Sequence, residues 1–111
     1  MKKISNILSI LLLMVMIVNV NAKEPLTKAS FKVNGNCDSC KKRIENAAKT
    51  EGVKNASWDE GTKILTVTFH PTKITIDQIE QSIAKAGHDT EKYKATDSSY
   101  NKLPDCCQYT R

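Results

Sequence analysis

Two cysteines three positions apart, Cys37 and Cys40, are the residues of this sequence that could most readily do chemistry. They lie between a strand-like run and a helical run, in the stretch VNGNCDSCKKRIENAAK. A Cys-x-x-Cys loop brings two sulfur atoms close enough to share one ion, but the same spacing serves disulfide oxidoreductases, half of a zinc site and structural bridges. The pair alone therefore leaves three interpretations open: a metal site, a redox couple and a structural disulfide.

The position of the pair at a predicted helix start favours thiolate chemistry. Cys37 is expected on the loop before the helix and Cys40 in its first turn, with neither side chain in the apolar core and with Asp38 or Ser39 as the cap. Backbone N–H groups are unpaired at a helix start, and the positive end of the dipole favours a thiolate over a thiol. The basic residues 41–43 (KKR) add to this effect. Two thiolates with Cu(I) would carry one net negative charge, which the same helix end stabilises.

The rest of the sequence predicts the elements that must position this loop. Apolar alternation and helical spacing indicate a strand at 29–33, a helix at 38–50, a hairpin at 53–71, a helix at 75–87 and a strand at 89–95. The order is β-α-β-β-α-β, which is the ferredoxin-like arrangement. We therefore expect an α+β sandwich, in which a four-stranded antiparallel sheet carries two helices on one face.

In a β-α-β-β-α-β chain of this length, the cysteine loop resembles that of the heavy-metal-associated domain family. This family includes copper chaperones, the amino-terminal domains of metal-exporting P-type ATPases and the periplasmic mercury-binding protein. The resemblance covers roughly residues 28–95. The family signature G-M-T-C-x-x-C aligns with residues 34–40, where the cysteines match and the three preceding residues do not. The family's Met packs beneath the metal loop, so Gly35 implies a looser or differently supported loop.

The resemblance implies a soft-metal-binding protein with Cys37 and Cys40 as the ligands. Cu(I) is the first choice of ion, with Hg(II), Zn(II) and Cd(II) as alternatives. The protein would sequester the ion or transfer it by thiolate exchange, with a metal-exporting ATPase or an efflux component as partner. No nucleophile–base pair is visible, so we expect a protein that is not an enzyme. The alternative is a thiol–disulfide oxidoreductase, although Asp38 and Ser39 are unlike the residues usual between the cysteines of that class.

Three further residues are candidate accessory ligands. The resemblance places His88 in a loop beside the metal, where it would be a hydrogen-bond donor, a third ligand or an exposed loop histidine. Cys106 and Cys107 lie in the tail 96–111, which has no periodicity. Residues 96–106 extended cover up to about 35 Å, so the tail can reach the loop. Its cysteines would add thiolates to the ion or form disulfides with the loop, because adjacent cysteines make a poor disulfide with each other.

The N-terminal residues 1–22 predict export. Lys2 and Lys3 precede an apolar run and a stretch of small residues, which is the pattern of a cleavable secretory signal peptide. The run is shorter than the roughly 20 apolar residues that span a bilayer. We therefore expect a periplasmic or secreted protein without stable membrane insertion, made of a domain at 23–95 and the tail at 96–111. It would be a monomer or a metal-bridged dimer.

The charge of the expected mature chain argues against nucleic acid as a partner. Without Lys2 and Lys3, the 17 Lys and Arg residues fall to 15 against 12 Asp and Glu residues. The resulting charge of about +3 is too small for an electrostatic nucleic-acid surface.

Overall fold

The computed structural model describes residues 24–111, and the predicted signal peptide at 1–22 lies outside them. Along this part of the chain the elements are β1 (Thr27–Lys32), α1 (Asp38–Ala48), β2 (Val53–Trp58), β3 (Ile64–Phe69), α2 (Ile76–Lys85), α3 (Asp97–Asn101) and a 3₁₀ helix (Asp105–Cys107). No helix within residues 24–111 has both the length and the apolar character needed to cross a membrane.

The sheet is antiparallel and has β3 at its centre, in the order β1-β3-β2. Leu65 of β3 pairs with Phe31 of β1 on one side and with Trp58 of β2 on the other. Alternate residues of β3 are buried, as the two-residue period of a strand requires. They share one hydrophobic core with the inner faces of α1 and α2. The predicted α+β fold, with an antiparallel sheet and packed helices, is confirmed.

The prediction of a fourth strand at 89–95 is wrong. In the described residues this strand is reduced to a single bridge between Val33 and Thr90. The N–H of Ala95 donates instead to the Asp89 carboxylate at 2.7 Å, and the N–H of Thr90 donates within a local turn at 2.7 Å. Because these donors are satisfied locally, they are not available for a ladder with β1. The sheet therefore has three strands instead of four.

The two long helices begin differently. At the start of α2, the Thr75 hydroxyl accepts from the N–H of Gln78 at 3.2 Å, and the Gln78 side chain accepts from the N–H of Thr75 at 3.0 Å. This capping box confirms the predicted start. At the start of α1 the cap residue is Cys37, which makes no side-chain capping hydrogen bond. The predicted cap by Asp38 or Ser39 is therefore wrong.

The segment 96–111, expected as an irregular tail, packs against the rest of the protein through α3 and the 3₁₀ helix. Three of its side chains enter the hydrophobic core, namely Leu103, Cys107 and Tyr109. Gly87 allows this close approach, because its φ is +108° and a Cβ there would lie 2.8 Å from the backbone oxygen of Ser99. The tail thereby returns Cys107 to the beginning of α1.

Candidate metal centre

Cys40 lies on the inner face of α1 because of its helical spacing. The buried positions of this helix are Cys40, Ile44 and Ala48, which follow one another at intervals of four residues. Side chains at this interval lie above one another on the same face. The expectation that neither cysteine enters the apolar core is therefore wrong for Cys40. Cys37, which precedes the helix, is only half-buried.

Three sulfur atoms converge at the beginning of α1. The Sγ atoms of Cys37 and Cys40 are 3.9 Å apart. Cys107 brings a third sulfur from the tail, and all three lie within 4.8 Å of one another. Cys40 and Cys107 are fully buried. Across residues 24–111, this is the one cluster of three or more potential metal ligands with such spacing.

The second tail cysteine, Cys106, lies outside this cluster. Its side chain is exposed, and its sulfur is 3.9 Å from that of Cys107. Its backbone carbonyl accepts hydrogen bonds from the Cys37 thiol at 3.6 Å and from the Asn36 side-chain amide at 3.4 Å. All four cysteines of the chain fall within the described residues and are free thiols. The tail is thus held by packing and hydrogen bonds and not by a disulfide.

The thiols of Cys37 and Cys107 differ in acidity. The backbone N–H groups nearby, that of Cys40 first and that of Ser39 next, lower the pKa of Cys37. Such a shift is expected for a thiol at a helix start. Burial raises the pKa of Cys107, and the neighbouring Cys40 raises it further. Cys37 therefore loses its proton more readily, whereas Cys107 stays protonated until a cation is bound beside it.

His88 is fully buried and is therefore not an exposed loop histidine. Its Nδ1 lies 2.8 Å from the carbonyl oxygen of Asn34, and its ring stacks on Tyr109 with centroids 5.7 Å apart. Its Nε2 has no hydrogen-bond partner in the described part of the chain. Burial lowers the pKa of His88, which fits a neutral ring that donates from Nδ1. His88 lies outside the three-sulfur cluster and connects the cysteine loop to the tail.

The cysteine loop is supported from beneath by Trp58. The indole Nε1 donates to the carbonyl oxygen of Val33 at 3.0 Å. A Cβ added to Gly35 would lie 3.2 Å from Cη2 of Trp58 and 3.0 Å from Cδ1 of Ile44. The space beside Gly35 is thus filled by side chains of β2 and α1, which support the loop. Sequence analysis missed this role, although Trp58 is the only tryptophan and lies at an inward position of β2.

The family comparison agrees with this geometry. Residues 30–89, more than half of the chain, match the model of the heavy-metal-associated domain. The chain belongs to the heavy-metal-associated domain family. This membership and the Cys-x-x-Cys group together support soft-metal binding. The match ends before the tail, so Cys107 and Tyr109 lie beyond the matched domain.

Solved structures of other proteins have the same fold. One is the N-terminal domain of a potential copper-translocating P-type ATPase from Bacillus subtilis, solved in the Cu(I)-loaded state. Its sequence is 28% identical to this chain and its TM-score is 0.57, and the alignment covers 66% of this chain and 94% of that one. Oxidized MerP from Ralstonia metallidurans CH34 is 25% identical with a TM-score of 0.57, covering 60% of this chain and 96% of that one. The CopZ metallochaperone shares the fold at 24% identity and a TM-score of 0.56, covering 58% of this chain and 98% of that one. No curated protein sequence matches the chain.

Proposed function

We propose that this protein carries a soft metal ion, with Cu(I) as the first choice, between the thiolates of Cys37 and Cys40. The observation that carries the proposal is the 3.9 Å separation of these sulfurs at the start of α1, in a member of the heavy-metal-associated domain family. Thiolates are soft ligands and select soft ions. Two thiolates and Cu(I) carry one net negative charge, which the N–H groups and dipole at the helix start stabilise.

The number of sulfurs supports Cu(I) over Zn(II). Structural zinc sites are almost always tetrahedral with four protein ligands, whereas the cluster found in residues 24–111 offers three sulfurs. Cu(I) and Hg(II) both accept two or three thiolates, so geometry does not separate them. The Cu(I)-loaded state of a similar solved domain supports Cu(I). Hg(II) and Cd(II) are therefore the competitors to include in the test.

The proposal includes export and handover. Residues 1–22 have the pattern of a secretory signal peptide, so we propose that the protein acts in the periplasm or after secretion. Its partner would be a metal-exporting ATPase or another efflux component with cysteines of its own. Each incoming partner thiolate displaces one ligand of this protein, so that the ion passes across without being released free. The half-buried Cys37 is the ligand that an incoming thiolate reaches first.

Native mass spectrometry under reducing, oxygen-free conditions tests the binding. The full chain is expressed with its N-terminal segment, its compartment is determined by fractionation, and the naturally processed product is purified. Cu(I), Hg(II), Zn(II) and Cd(II) are then added in competition, followed by a chelator. We expect one Cu(I) per chain to survive the chelator. Stable binding of a different ion would overturn the choice of Cu(I) and leave the site itself in place.

A pair of matched variants tests the ligand assignment. Cys37→Ser should strongly weaken retention of the ion in the presence of the chelator, because it removes one of the two thiolates of the Cys-x-x-Cys loop. Cys106→Ser makes the same chemical change at an exposed cysteine outside the cluster and should bind like the wild type. Affinity at the wild-type level in Cys37→Ser would refute the assignment.

The same preparation distinguishes metal carriage from thiol–disulfide exchange. An oxidoreductase would retain no ion and would catalyse reduction of insulin disulfides by a small thiol. The proposed carrier should bind the ion and leave the insulin reaction at its uncatalysed rate. Turnover of insulin without metal retention would replace the proposed function with redox chemistry.

A further inference from the structure

The C-terminal segment 103–111, referred to below as the latch, is fixed over the cysteine loop by specific contacts. The Tyr109 hydroxyl donates to the carbonyl oxygen of Gly87 at 2.8 Å and accepts from the N–H of Asp89 at 2.7 Å. The Arg111 guanidinium makes two hydrogen bonds of 3.0 Å to the Asp89 carboxylate. The ring of Tyr109 is buried together with Leu103 and Cys107. These contacts fix the sulfur of Cys107 beside the loop.

The sulfur spacing fits an ion held by three thiolates. Metal–thiolate bonds are about 2.3 Å long, so three sulfurs around one ion lie about 4.0 Å apart and two sulfurs in a line lie about 4.6 Å apart. The sulfurs of Cys37 and Cys40 are 3.9 Å apart, which is closer to the three-sulfur value. With Cys107 included, every sulfur pair stays within 4.8 Å. Small side-chain rotations would therefore complete a three-coordinate site.

We propose that Cys107 is a third ligand of the ion and that the latch must lift before the ion can be transferred. The inference rests on the proposed function, because it assumes an ion bound at Cys37 and Cys40. Cys40 and Cys107 are both 0% exposed, so a partner thiolate gains access only on the side of Cys37. After that first exchange the ion keeps the buried Cys40 and Cys107 as ligands, so a second partner thiolate reaches it only when the latch that carries Cys107 lifts and Cys107 leaves. The docked latch thus favours retention, and the lifted latch permits handover.

Three-sulfur coordination also affects assembly. An ion that already has three sulfurs from one chain leaves no place for the Cys37 and Cys40 pair of a second chain. The metal-loaded wild type should therefore remain a monomer. Removal of the third sulfur should open the ion to a second chain and produce metal-bridged dimers.

The ligand part of the proposal is tested by X-ray absorption spectroscopy on the Cu(I)-loaded protein. We expect three sulfurs around copper in the wild type and in Cys106→Ser, but two per chain in Cys107→Ser. Loss of a residue that merely supports a metal ligand typically costs 10–100-fold in affinity. We therefore expect Cys107→Ser to bind Cu(I) at least about tenfold more weakly in chelator competition. Two sulfurs in the wild type, with unchanged affinity in Cys107→Ser, would overturn the inference.

The latch part is tested by Tyr109→Phe, which keeps all the thiols and removes the hydroxyl that joins Gly87 to Asp89. Transfer of Cu(I) to a synthetic dithiol acceptor should become severalfold faster, while the number of sulfurs stays at three. Tyr93→Phe is the matched control, because its hydroxyl makes none of the latch contacts. Circular dichroism confirms that each variant is folded. An unchanged transfer rate in folded Tyr109→Phe would refute the latch.

The outcomes also separate this inference from the proposed function. A wild-type protein that retains no soft ion would overturn the proposed function, and this inference would fail with it. A wild type that retains Cu(I) through Cys37 and Cys40 alone would overturn only the role of Cys107.

Discussion

Replacement of Gly35 by alanine tests how the cysteine loop is supported. The added Cβ would lie 3.0 Å from Cδ1 of Ile44, 3.1 Å from Cβ of Cys40 and 3.2 Å from Cη2 of Trp58. Favourable carbon–carbon contacts are about 3.5–4.0 Å. All three neighbours are fully buried, so none can move aside into solvent. Overpacking of this kind costs about 1–3 kcal/mol, and we expect Gly35→Ala to lower the free energy of unfolding by that amount.

The matched control for this substitution is Gly61→Ala in the loop between β2 and β3. Gly61 is exposed, and a Cβ there would meet only the Asp59 carboxylate, at 3.3 Å. Both substitutions reduce the backbone freedom of the unfolded chain, which is worth about 0.4–1 kcal/mol. The difference between the two variants therefore isolates the crowding in the folded state. Gly61→Ala should destabilise the protein by no more than about 0.5 kcal/mol.

The assay is urea unfolding followed by far-ultraviolet circular dichroism, in the wild type and in a Trp58→Phe background. Phenylalanine lacks the Cη2 atom that crowds position 35, so Gly35→Ala should cost less in this background. The expected coupling energy is about 0.5–3 kcal/mol, as for other residues in direct contact. An equal cost in both backgrounds would refute the role of Trp58. If the Gly35→Ala variant were as stable as the Gly61→Ala variant, the loop would not be packed as described.

Three further predictions concern thiol reactivity, pH and helix capping. Iodoacetamide should alkylate Cys37 first and Cys107 last, because the pKa of Cys37 is lowered by a backbone N–H and that of Cys107 is raised by burial. Peptide mapping over a pH series measures the order of alkylation, and the reverse order would contradict the prediction. The free energy of unfolding should fall as the pH drops below 6.5, since burial lowers the pKa of His88 in the folded state and the unfolded chain takes up the proton first. The contribution of His88 is at most about 1.4 kcal/mol per pH unit, and it should vanish in His88→Gln. Thr75→Ala should cost about 1 kcal/mol in urea unfolding through loss of the α2 cap, and an unchanged midpoint would contradict the capping box.

Local patterns predicted the parts of the fold in which neighbouring residues decide the structure. The alternation in β3 and the start of α2 at Thr75 each depend on residues within one short segment, and both are observed. Burial of Cys40 was also readable, because Ile44 and Ala48 follow it at helical spacing. The contrary expectation placed Cys40 in the first turn of the helix but did not include it in the apolar face with Ile44 and Ala48.

Contacts between distant segments decided the parts that the sequence did not reveal. Residues 89–95 were expected as a strand, but the Asp89 carboxylate accepts from the N–H of Ala95 and the buried Glu80 accepts from the N–H of Lys92 at 3.0 Å. No local pattern in the sequence indicates that a carboxylate from α2 will accept a hydrogen bond from a backbone N–H of this segment. In the same way, Tyr109 is an isolated aromatic residue in the sequence, and its importance depends on the backbone of residues 87–89 in three dimensions.

The missing fourth strand explains why the tail cannot be studied by deletion. With three strands in the sheet, part of the core is covered by Leu103, Cys107 and Tyr109 of the tail. Full burial of a large apolar side chain contributes about 1.5–3 kcal/mol, so truncation before α3 would remove several such contributions together with the third sulfur. Weaker metal binding in that truncated protein would follow whether or not Cys107 is a ligand. Cys107→Ser and Tyr109→Phe leave most of the apolar contacts in place, so they can separate coordination from folding.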